Sequence, residues 1–144
     1  APDGHESEVV VRLARIGFDH VLGYVPEVDA VLAEVPEHLA QASRVTPVQL
    51  EAAFADGTEV TVLDLRNLGE LEAGSLPGSL HIPMAELRRR LDEVPRDGAL
   101  VLYCAGGWRS SVGASYLRSQ GFTDVSDILG GFSAWEATRT PVEV

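Results

Sequence analysis

The feature that most constrains this fold is an apolar run, Ala99–Tyr103, that ends directly in a glycine-rich loop. Five apolar residues without polar alternation predict a β-strand buried on both faces, as in the middle of a helix-covered parallel sheet. The loop Cys104-Ala105-Gly106-Gly107-Trp108-Arg109 follows, and a helix is predicted over residues 110–120. In open α/β sheets ligands bind beyond the carboxyl ends of the strands, and Cys104 follows such an end.

Beyond residue 45 the chain alternates between segments with the pattern of a strand and segments with the pattern of an amphipathic helix. Strands are predicted over residues 60–64, 80–82, 99–103 and 124–128, and helices from Thr46-Pro47 to Gly57 and over 84–91, 110–120 and 132–138. Strands that alternate with helices predict parallel pairing, because each crossover helix packs back on the sheet. The expected fold class is α/β: a three-layer sandwich with a mostly parallel central sheet flanked by helices.

The first part of the chain forms a separate segment with a pattern of its own. A helix is predicted over residues 8–16, a strand over 20–24, a second helix over 27–34 and a linker over 36–44. Sliding this segment by 104 positions aligns five identical residues: Leu13 with Leu117, Gly17 with Gly121, Phe18 with Phe122, Val21 with Val125, and Ala30 with Ala134. A shared order of helix, Gly-Phe, strand and helix favours an internal repeat, with chance similarity as the alternative. Residues 1–35 are then predicted to be the tail of an upstream copy.

Composition excludes several classes of partner. A net charge of −11, with 22 acidic and 11 basic residues, argues against a nucleic-acid partner. No stretch approaches the roughly 18 consecutive apolar residues of a membrane span, so no membrane partner is predicted. The start at Ala1 suggests a piece of a larger protein. One cysteine allows no internal disulfide and favours a cytoplasmic location, and the four histidines show no ligand spacing, so no metal or other cofactor is expected.

The residues around Cys104 are suited to a reactive thiolate. Gly106 and Gly107 allow successive backbone N–H groups to point inward, and the following helix adds its positive N-terminal end. Arg109 contributes a full charge and a planar fork of donors. Such surroundings lower the pKa of a thiol from about 8.5, and the same N–H groups would stabilise an anion beside the sulfur. The alternative is that Cys104 only packs and that the glycines only form a strand-to-helix turn.

The loop resembles the active-site loop of rhodanese-type sulfurtransferases, C-x-x-G-x-R, with Gly107 at the glycine. The family's D-V-R is resembled by Leu63-Asp64-Leu65-Arg66, and its usual glutamate corresponds to Glu70. Its G-H-I-P-G-A-x-x-I-P is resembled by Gly74-Ser75-Leu76-Pro77-Gly78-Ser79-Leu80-His81-Ile82-Pro83. Its closing L-x-G-G-x-x-A-W is resembled by Leu129-Gly130-Gly131-Phe132-Ser133-Ala134-Trp135, with Pro141-Val142 after it. Several motifs in the right order are specific, whereas C-x-x-G-x-R alone would be weak.

The resemblance implies a rhodanese domain over residues 45–144 that transfers sulfur by double displacement. A donor such as thiosulfate or a persulfide would load Cys104, and a thiol or cyanide would accept the sulfur. Cys104 and Arg109 are the expected catalytic residues. The expected substrate-binding residues are Ala105, Gly106, Gly107, Trp108 and Ser110, with Trp108 as a hydrophobic wall. Asp64, Arg66 and Glu70 are expected to support the site, the first two as an ion pair that braces the loop.

Three departures from the family pattern lie outside the nucleophile. Ser75 replaces a usual histidine, residues 67–69 lack a proline common after the D-V-R arginine, and Arg139 stands where a glycine is common. They affect the entrance loop and therefore the choice of substrate, which the motifs do not specify.

Two alternatives to a sulfurtransferase follow from the same resemblance. A phosphatase or arsenate reductase of this fold uses a longer loop, whereas only four residues separate Cys104 from Arg109 here. A non-catalytic binding or regulatory module is the other alternative, and in many such modules the cysteine is replaced. The N-terminal segment resembles the end of a degenerate rhodanese repeat, which is compatible with fusion to an upstream metallo-β-lactamase-fold domain.

Overall fold

The protein divides into two compact units, with the boundary between residues 41 and 42. A computed structural model describes residues 3–39 and 41–139. The motif element Pro141-Val142 lies outside these residues.

The N-terminal unit consists of short helices without a buried core. Helix α1 (Glu6–Ala14) and helix α2 (Val28–Glu34) bury none of their residues, and a 3-10 turn, Pro36–His38, follows. The strand predicted over residues 20–24 is wrong, because the described backbone there has no strand assignment. A strand needs a neighbour for its N–H and C=O groups, and this segment pairs with none in the described chain. The repeat itself stays a prediction.

The second unit is built on a five-stranded sheet in which every neighbouring pair is parallel. The strands are β1 (Ser43–Val45), β2 (Val60–Asp64), β3 (Leu80–His81), β4 (Ala99–Tyr103) and β5 (Val125–Ile128), in the spatial order β1-β5-β4-β2-β3. The predicted α/β class with a mostly parallel sheet is confirmed. The linker is shorter than predicted, since β1 begins at Ser43 inside the range 36–44.

Helices cover both faces of this sheet, as the three-layer prediction requires. One core packs against helix α4 (Trp108–Ser119) and contains Leu100 and Leu102. The opposite core packs against α3 (Pro47–Ala55) and α5 (Gly131–Arg139) and contains Val101 and Tyr103. Successive residues of β4 therefore serve opposite cores. This explains why the strand has no polar alternation.

Local signals predicted one helix correctly and another wrongly. Thr46 caps α3 through a capping box with Gln49, and Pro47 occupies its first turn. The helix predicted over residues 84–91 is instead a series of turns that ends in the 3-10 turn Leu91–Glu93. Its backbone hydrogen bonds mix spacings of three and four residues, as in the bonds from Leu87 to the carbonyls of Met84 and Pro83, so no regular helix forms. Leu87 is nevertheless buried, as its amphipathic pattern predicts.

Candidate active site

The Cys104 thiol lies at the carboxyl end of β4, inside the loop that leads to α4. Cys104 is 1% exposed, and the Gly107 N–H donates a hydrogen bond to its Sγ over 3.1 Å. Gly107 has a φ of +98°, in the left-handed region that glycine tolerates best. A Cβ there would lie 3.4 Å from the Gly130 nitrogen, at the edge of ordinary contact, so the backbone conformation is what favours glycine.

The pKa of the Cys104 thiol lies below its usual value. Burial alone would raise this pKa, but the N–H and hydroxyl of Ser110 and the N–H groups of Gly107 and Arg109 outweigh it. Ser110 Oγ is 3.7 Å from Sγ and 3.0 Å from the Gly107 carbonyl oxygen, so its one proton can be donated to either acceptor. Hydrogen bonds to the charged form favour ionisation. The structure thus brings Cys104, Gly107, Arg109 and Ser110 together around one sulfur.

The first turn of α5 holds the loop by its backbone carbonyls. The backbone N–H of Phe132 donates to the Cys104 carbonyl over 2.7 Å, and that of Ser133 donates to the Ala105 carbonyl over 3.0 Å. A Cβ on Gly131 would lie only 2.2 Å from the Cys104 carbonyl oxygen. Gly131 is therefore required for this approach. Sequence reasoning missed this role, although a glycine pair just before a helix start, where N–H groups lack helical partners, was a usable signal.

The Arg109 guanidinium is held by Glu70 and also interacts with Cys104. Two parallel hydrogen bonds of 2.7 Å join Nη1 and Nη2 to the two carboxylate oxygens. The hydrogen bonds from Arg109 lower the pKa of Glu70 to about 2, against the opposing effect of burial. Glu70 raises the pKa of Arg109 in turn, with a smaller contribution from Cys104. Arg109 therefore stands beside the sulfur as a fixed cation.

Asp64 and Arg66 form a buried ion pair behind the loop. Arg66 Nη2 donates to Asp64 Oδ2 over 2.7 Å, and the side chains are 2% and 0% exposed. Arg66 also donates to the carbonyls of Gly74, over 2.7 Å, and Glu70, over 3.2 Å. The pair thus ties the Leu68–Ala73 segment, which carries Glu70, to the end of β2. Its burial is suited to bracing the site and not to touching a substrate.

Comparisons with known proteins agree with this geometry. The family model described as "Rhodanese-like domain" matches residues 46–138. The chain belongs to the rhodanese-like family. A sulfurtransferase of Allochromatium vinosum is 34% identical over 93 residues, which cover 65% of this chain and 87% of that protein. Thiosulfate sulfurtransferase GlpE of Pseudoalteromonas translucida is 38% identical over 82 residues, which cover 57% and 78%.

Solved structures give the same family and fold. The crystal structure of a rhodanese-related protein from Thermoplasma volcanium superposes with a TM-score of 0.62 at 31% identity, covering 69% of this chain and 95% of that one. The rhodanese fold and the presence of sulfurtransferase relatives are therefore established for this chain. These relatives do not support the predicted metallo-β-lactamase fusion, which stays a prediction.

A cavity of about 300 Å³ adjoins the outer face of the rhodanese-like loop. Its lining residues are Arg44, Gly106, Gly107, Trp108, Ser111, Leu129 and Gly130. The Trp108 indole lies at this cavity and is 85% exposed, so it shields little of the loop. Its predicted part as a wall over bound sulfur is untested. Sequence reasoning missed Arg44, because it lies in the segment interpreted as a linker.

The described parts of the chain contain neither a metal-binding cluster nor a membrane-spanning helix. No group of three or more His, Cys, Asp or Glu side chains in residues 3–39 and 41–139 could hold a metal ion. Within the same ranges no helix is long and apolar enough to cross a membrane.

Proposed function

We propose that this protein carries sulfane sulfur on Cys104 and passes it from a small donor, thiosulfate or a low-molecular-weight persulfide, to a thiol or cyanide. The observation that carries the proposal is the hydrogen-bonded Cys104 Sγ at the carboxyl end of β4, 3.1 Å from the Gly107 nitrogen. A thiol with a lowered pKa supplies more thiolate at neutral pH, and the thiolate is the nucleophile.

The proposed reaction has two displacements. In the first, the Cys104 thiolate attacks the outer sulfur of thiosulfate, a new S–S bond forms, the donor's own S–S bond breaks, and sulfite leaves with its electron pair. In the second, an acceptor thiolate attacks the terminal sulfur of the Cys104 persulfide, and the Cys104 thiolate leaves. No redox partner is needed, because each S–S bond that breaks is replaced by another bond to the same sulfur.

Fixed positive groups would stabilise the terminal sulfur between the two displacements. The N–H groups of Gly107, Arg109 and Ser110 already favour the negative form of Sγ. The Arg109 side chain, locked by Glu70, adds a cation whose position does not change when charge develops. Ala105, Gly106 and Trp108 complete the loop around the sulfur and are assigned to substrate binding, while Asp64, Arg66 and Glu70 are assigned to positioning.

The decisive experiment is the intact mass of the reduced protein after incubation with thiosulfate. A gain of about 32 Da, one sulfur atom, is expected, and none is expected in Cys104→Ser. A glutathione persulfide donor is the second arm. Uptake from either donor supports a Cys104 persulfide. If the protein takes up sulfur from neither donor, the proposal is overturned and the binding-module alternative is favoured.

Activation of the thiol is tested by the pH dependence of its alkylation with iodoacetamide. Below the pKa of Cys104 the thiol is protonated and reacts slowly, so the alkylation rate should rise with pH. The rate should level off at a lower pH than that of free cysteine, because the pKa of Cys104 is lowered and the pKa of free cysteine is about 8.5. Ser110→Ala should move this rise to higher pH, because the hydroxyl 3.7 Å from Sγ, which stabilises the thiolate, is lost. Ser119→Ala, at an exposed position near the end of α4, is the matched control. Coincident profiles for all three proteins would contradict the assigned cause.

The proposal extends to cellular context. We place the protein in the cytoplasm, where a single unpaired thiol stays reduced. Residues 1–35 are proposed to be the tail of a degenerate rhodanese-like repeat joined by a short linker. A gene sequence extended upstream that encodes no rhodanese-like strands would remove that part of the proposal.

A further inference from the structure

Arg66 is a buried cation that contacts two aromatic rings as well as Asp64. Its Cζ lies 4.1 Å from the centroid of the Phe132 ring and 5.3 Å from the centroid of the Tyr103 ring. The two rings are stacked, with centroids 6.3 Å apart and an angle of 27° between their planes. Because the guanidinium is only 2% exposed, water weakens its attraction to the ring faces very little. The Phe132 ring is therefore held in place by a cation.

The position of this cation is set by hydrogen bonds to other parts of the chain. Arg66 Nε donates to Asp64 Oδ1 over 3.0 Å, and Nη2 donates to Asp64 Oδ2 over 2.7 Å. Nη2 also donates to the Gly74 carbonyl over 2.7 Å. The N–H groups of a guanidinium point outward in its plane, so its face stays available for an aromatic ring. Arg66 thus gives the Phe132 ring a fixed support.

Phe132 combines this ring with an amide that holds the loop of the thiol. It is the second residue of α5, and its N–H donates to the Cys104 carbonyl over 2.7 Å. The two residues before it, Gly130 and Gly131, have φ angles of +74° and +59°. Glycine has more backbone freedom than any other residue, so the chain that enters α5 supplies little stiffness of its own. The Phe132 side chain is the first after these glycines that can anchor the amide by packing.

We propose that Phe132 is a positioning residue for Cys104: the Arg66 guanidinium holds its ring, and the ring keeps the first turn of α5 on the loop carbonyls. The inference rests on the proposed role of Cys104 as the nucleophile and adds a residue that acts through the backbone of the loop. The Cys104 carbonyl belongs to the same loop as the Gly107 N–H, which lies 3.1 Å from Sγ. A shift of the first turn of α5 would therefore move the donors that favour the thiolate.

The test is the pH dependence of Cys104 alkylation by iodoacetamide in Phe132→Leu, which keeps an apolar side chain and removes the π face. The pH midpoint should rise by about half a pH unit, so that alkylation below the midpoint is about threefold slower. Above the midpoint the two rates should be equal, because the thiol is then ionised in both proteins. A general loss of structure would instead change the rate at every pH. Arg109, the charged side chain that interacts with the thiol, and its partner Glu70 are unchanged in every variant.

Three further proteins separate the contact with the cation from ordinary packing. Phe132→Tyr keeps a π face, and a cavity of about 280 Å³ beside the ring has room for the hydroxyl, so the parent midpoint should be kept. Pentafluorophenylalanine at position 132 keeps the ring but withdraws charge from its face, so the midpoint should rise as in Phe132→Leu. Phe54→Leu is the matched control. Phe54 packs edge-on against Trp135 of the same helix, with centroids 6.3 Å apart, and its loss should leave the midpoint unchanged.

An unchanged midpoint in Phe132→Leu overturns the inference. An equal rise in Phe54→Leu or in Phe132→Tyr also overturns it, because the contact between the cation and the π face would then not be the cause. If Phe132→Leu does not fold, an unchanged midpoint with the fluorinated ring overturns the inference. Alkylation needs no sulfur donor, so a parent protein that takes up no sulfur overturns the proposed function, a result distinct from those of these midpoints.

Discussion

Two segments of the chain share a local sequence pattern and end in opposite environments. Helices α1 and α4 finish in the same way: Gly17 and Gly121 both have a φ of +89°. The N–H of Phe18 donates to the Leu13 carbonyl over 3.0 Å, and that of Phe122 donates to the Leu117 carbonyl over 3.2 Å. Both ends are Schellman caps, which need only a residue, usually glycine, in the left-handed conformation.

Beyond the cap the two segments differ in burial. Phe122 is 5% exposed and Val125 is 3% exposed, whereas Phe18 is 62% exposed and Val21 is 39% exposed. Val125 lies in β5, which is paired on both sides. The comparison shows that a local pattern suffices for a helix and its cap, while a strand and a core depend on neighbours that the same pattern does not supply.

The shared cap is not in itself a sign of duplication. Helix α3 ends in the same manner, with the Thr58 N–H donating to the Ala53 carbonyl over 2.9 Å and Gly57 at a φ of +73°. The support for a repeat therefore comes from the matched positions after the cap. These are the positions at which the two segments now differ most in exposure.

The largest expected contrast is between the two phenylalanines. Phe122→Ala should lower the free energy of unfolding by about 3–5 kcal/mol, because it removes a ring from a closed core. Phe18→Ala should change it by less than about 0.5 kcal/mol. Urea unfolding followed by far-UV circular dichroism, which reports on the helices of both units, measures both. Equal losses would show that Phe18 is buried in solution and would remove the contrast.

Substitution of either cap glycine by alanine should strain the local backbone equally. The two substitutions should differ in their effect on the free energy of unfolding. At both sites a Cβ meets nothing within 4 Å, so only the backbone conformation matters. Gly121→Ala should lower the free energy of unfolding by about 1–2 kcal/mol. Gly17→Ala should instead increase amide hydrogen exchange in α1 and leave the urea midpoint unchanged. A shifted midpoint would mean that the two units unfold together.

The smallest expected contrast is between two ion pairs. Glu70 has a pKa of about 2 beside Arg109, against an ordinary value of 4.5, so its contribution is complete above pH 4.5 and is lost as pH falls toward 2. Glu70→Gln should therefore lower stability at pH 7 by up to about 1 kcal/mol, with solvent screening taken into account, and weaken the acid dependence. Glu8→Gln, which breaks the exposed pair with Arg12, should have no measurable effect. Thermal unfolding of the parent protein and of both variants at pH 3 and pH 7 measures these two effects.

The fold was predictable where a signal is local or strongly periodic. The apolar β4, the capping box of α3 and the alternation of elements were sufficient for a parallel sheet covered on both faces. Two elements were not predictable in this way. Residues 20–24 have a strand composition but lack a partner strand, and residues 84–91 have helical periodicity but form turns with mixed hydrogen-bond spacings. Both errors arose because pairing and propagation depend on more than the segment itself.

Site residues that are close in sequence were predictable, whereas contacts between distant parts of the chain were much less so. Cys104, Gly107 and Arg109 are close in sequence, so one motif named them all. The Glu70–Arg109 and Arg44–Asp127 pairs join residues that are far apart in sequence, and only the folded chain brings the partners together. The contact of Gly131 with the Cys104 carbonyl is of the same kind, because a clash distance cannot be read from letters alone.

The strand order also has a consequence for how the protein is made. The sheet is divided until β5 inserts between β1 and β4, and the amides that fix the Cys104 and Ala105 carbonyls belong to Phe132 and Ser133. Synthesis runs from the N-terminus, so the cysteine leaves the ribosome before the residues that fix its carbonyl. During that interval the fold that buries Cys104 is incomplete. Premature termination before residue 131 would release a product in which the Cys104 thiol is open to oxidation.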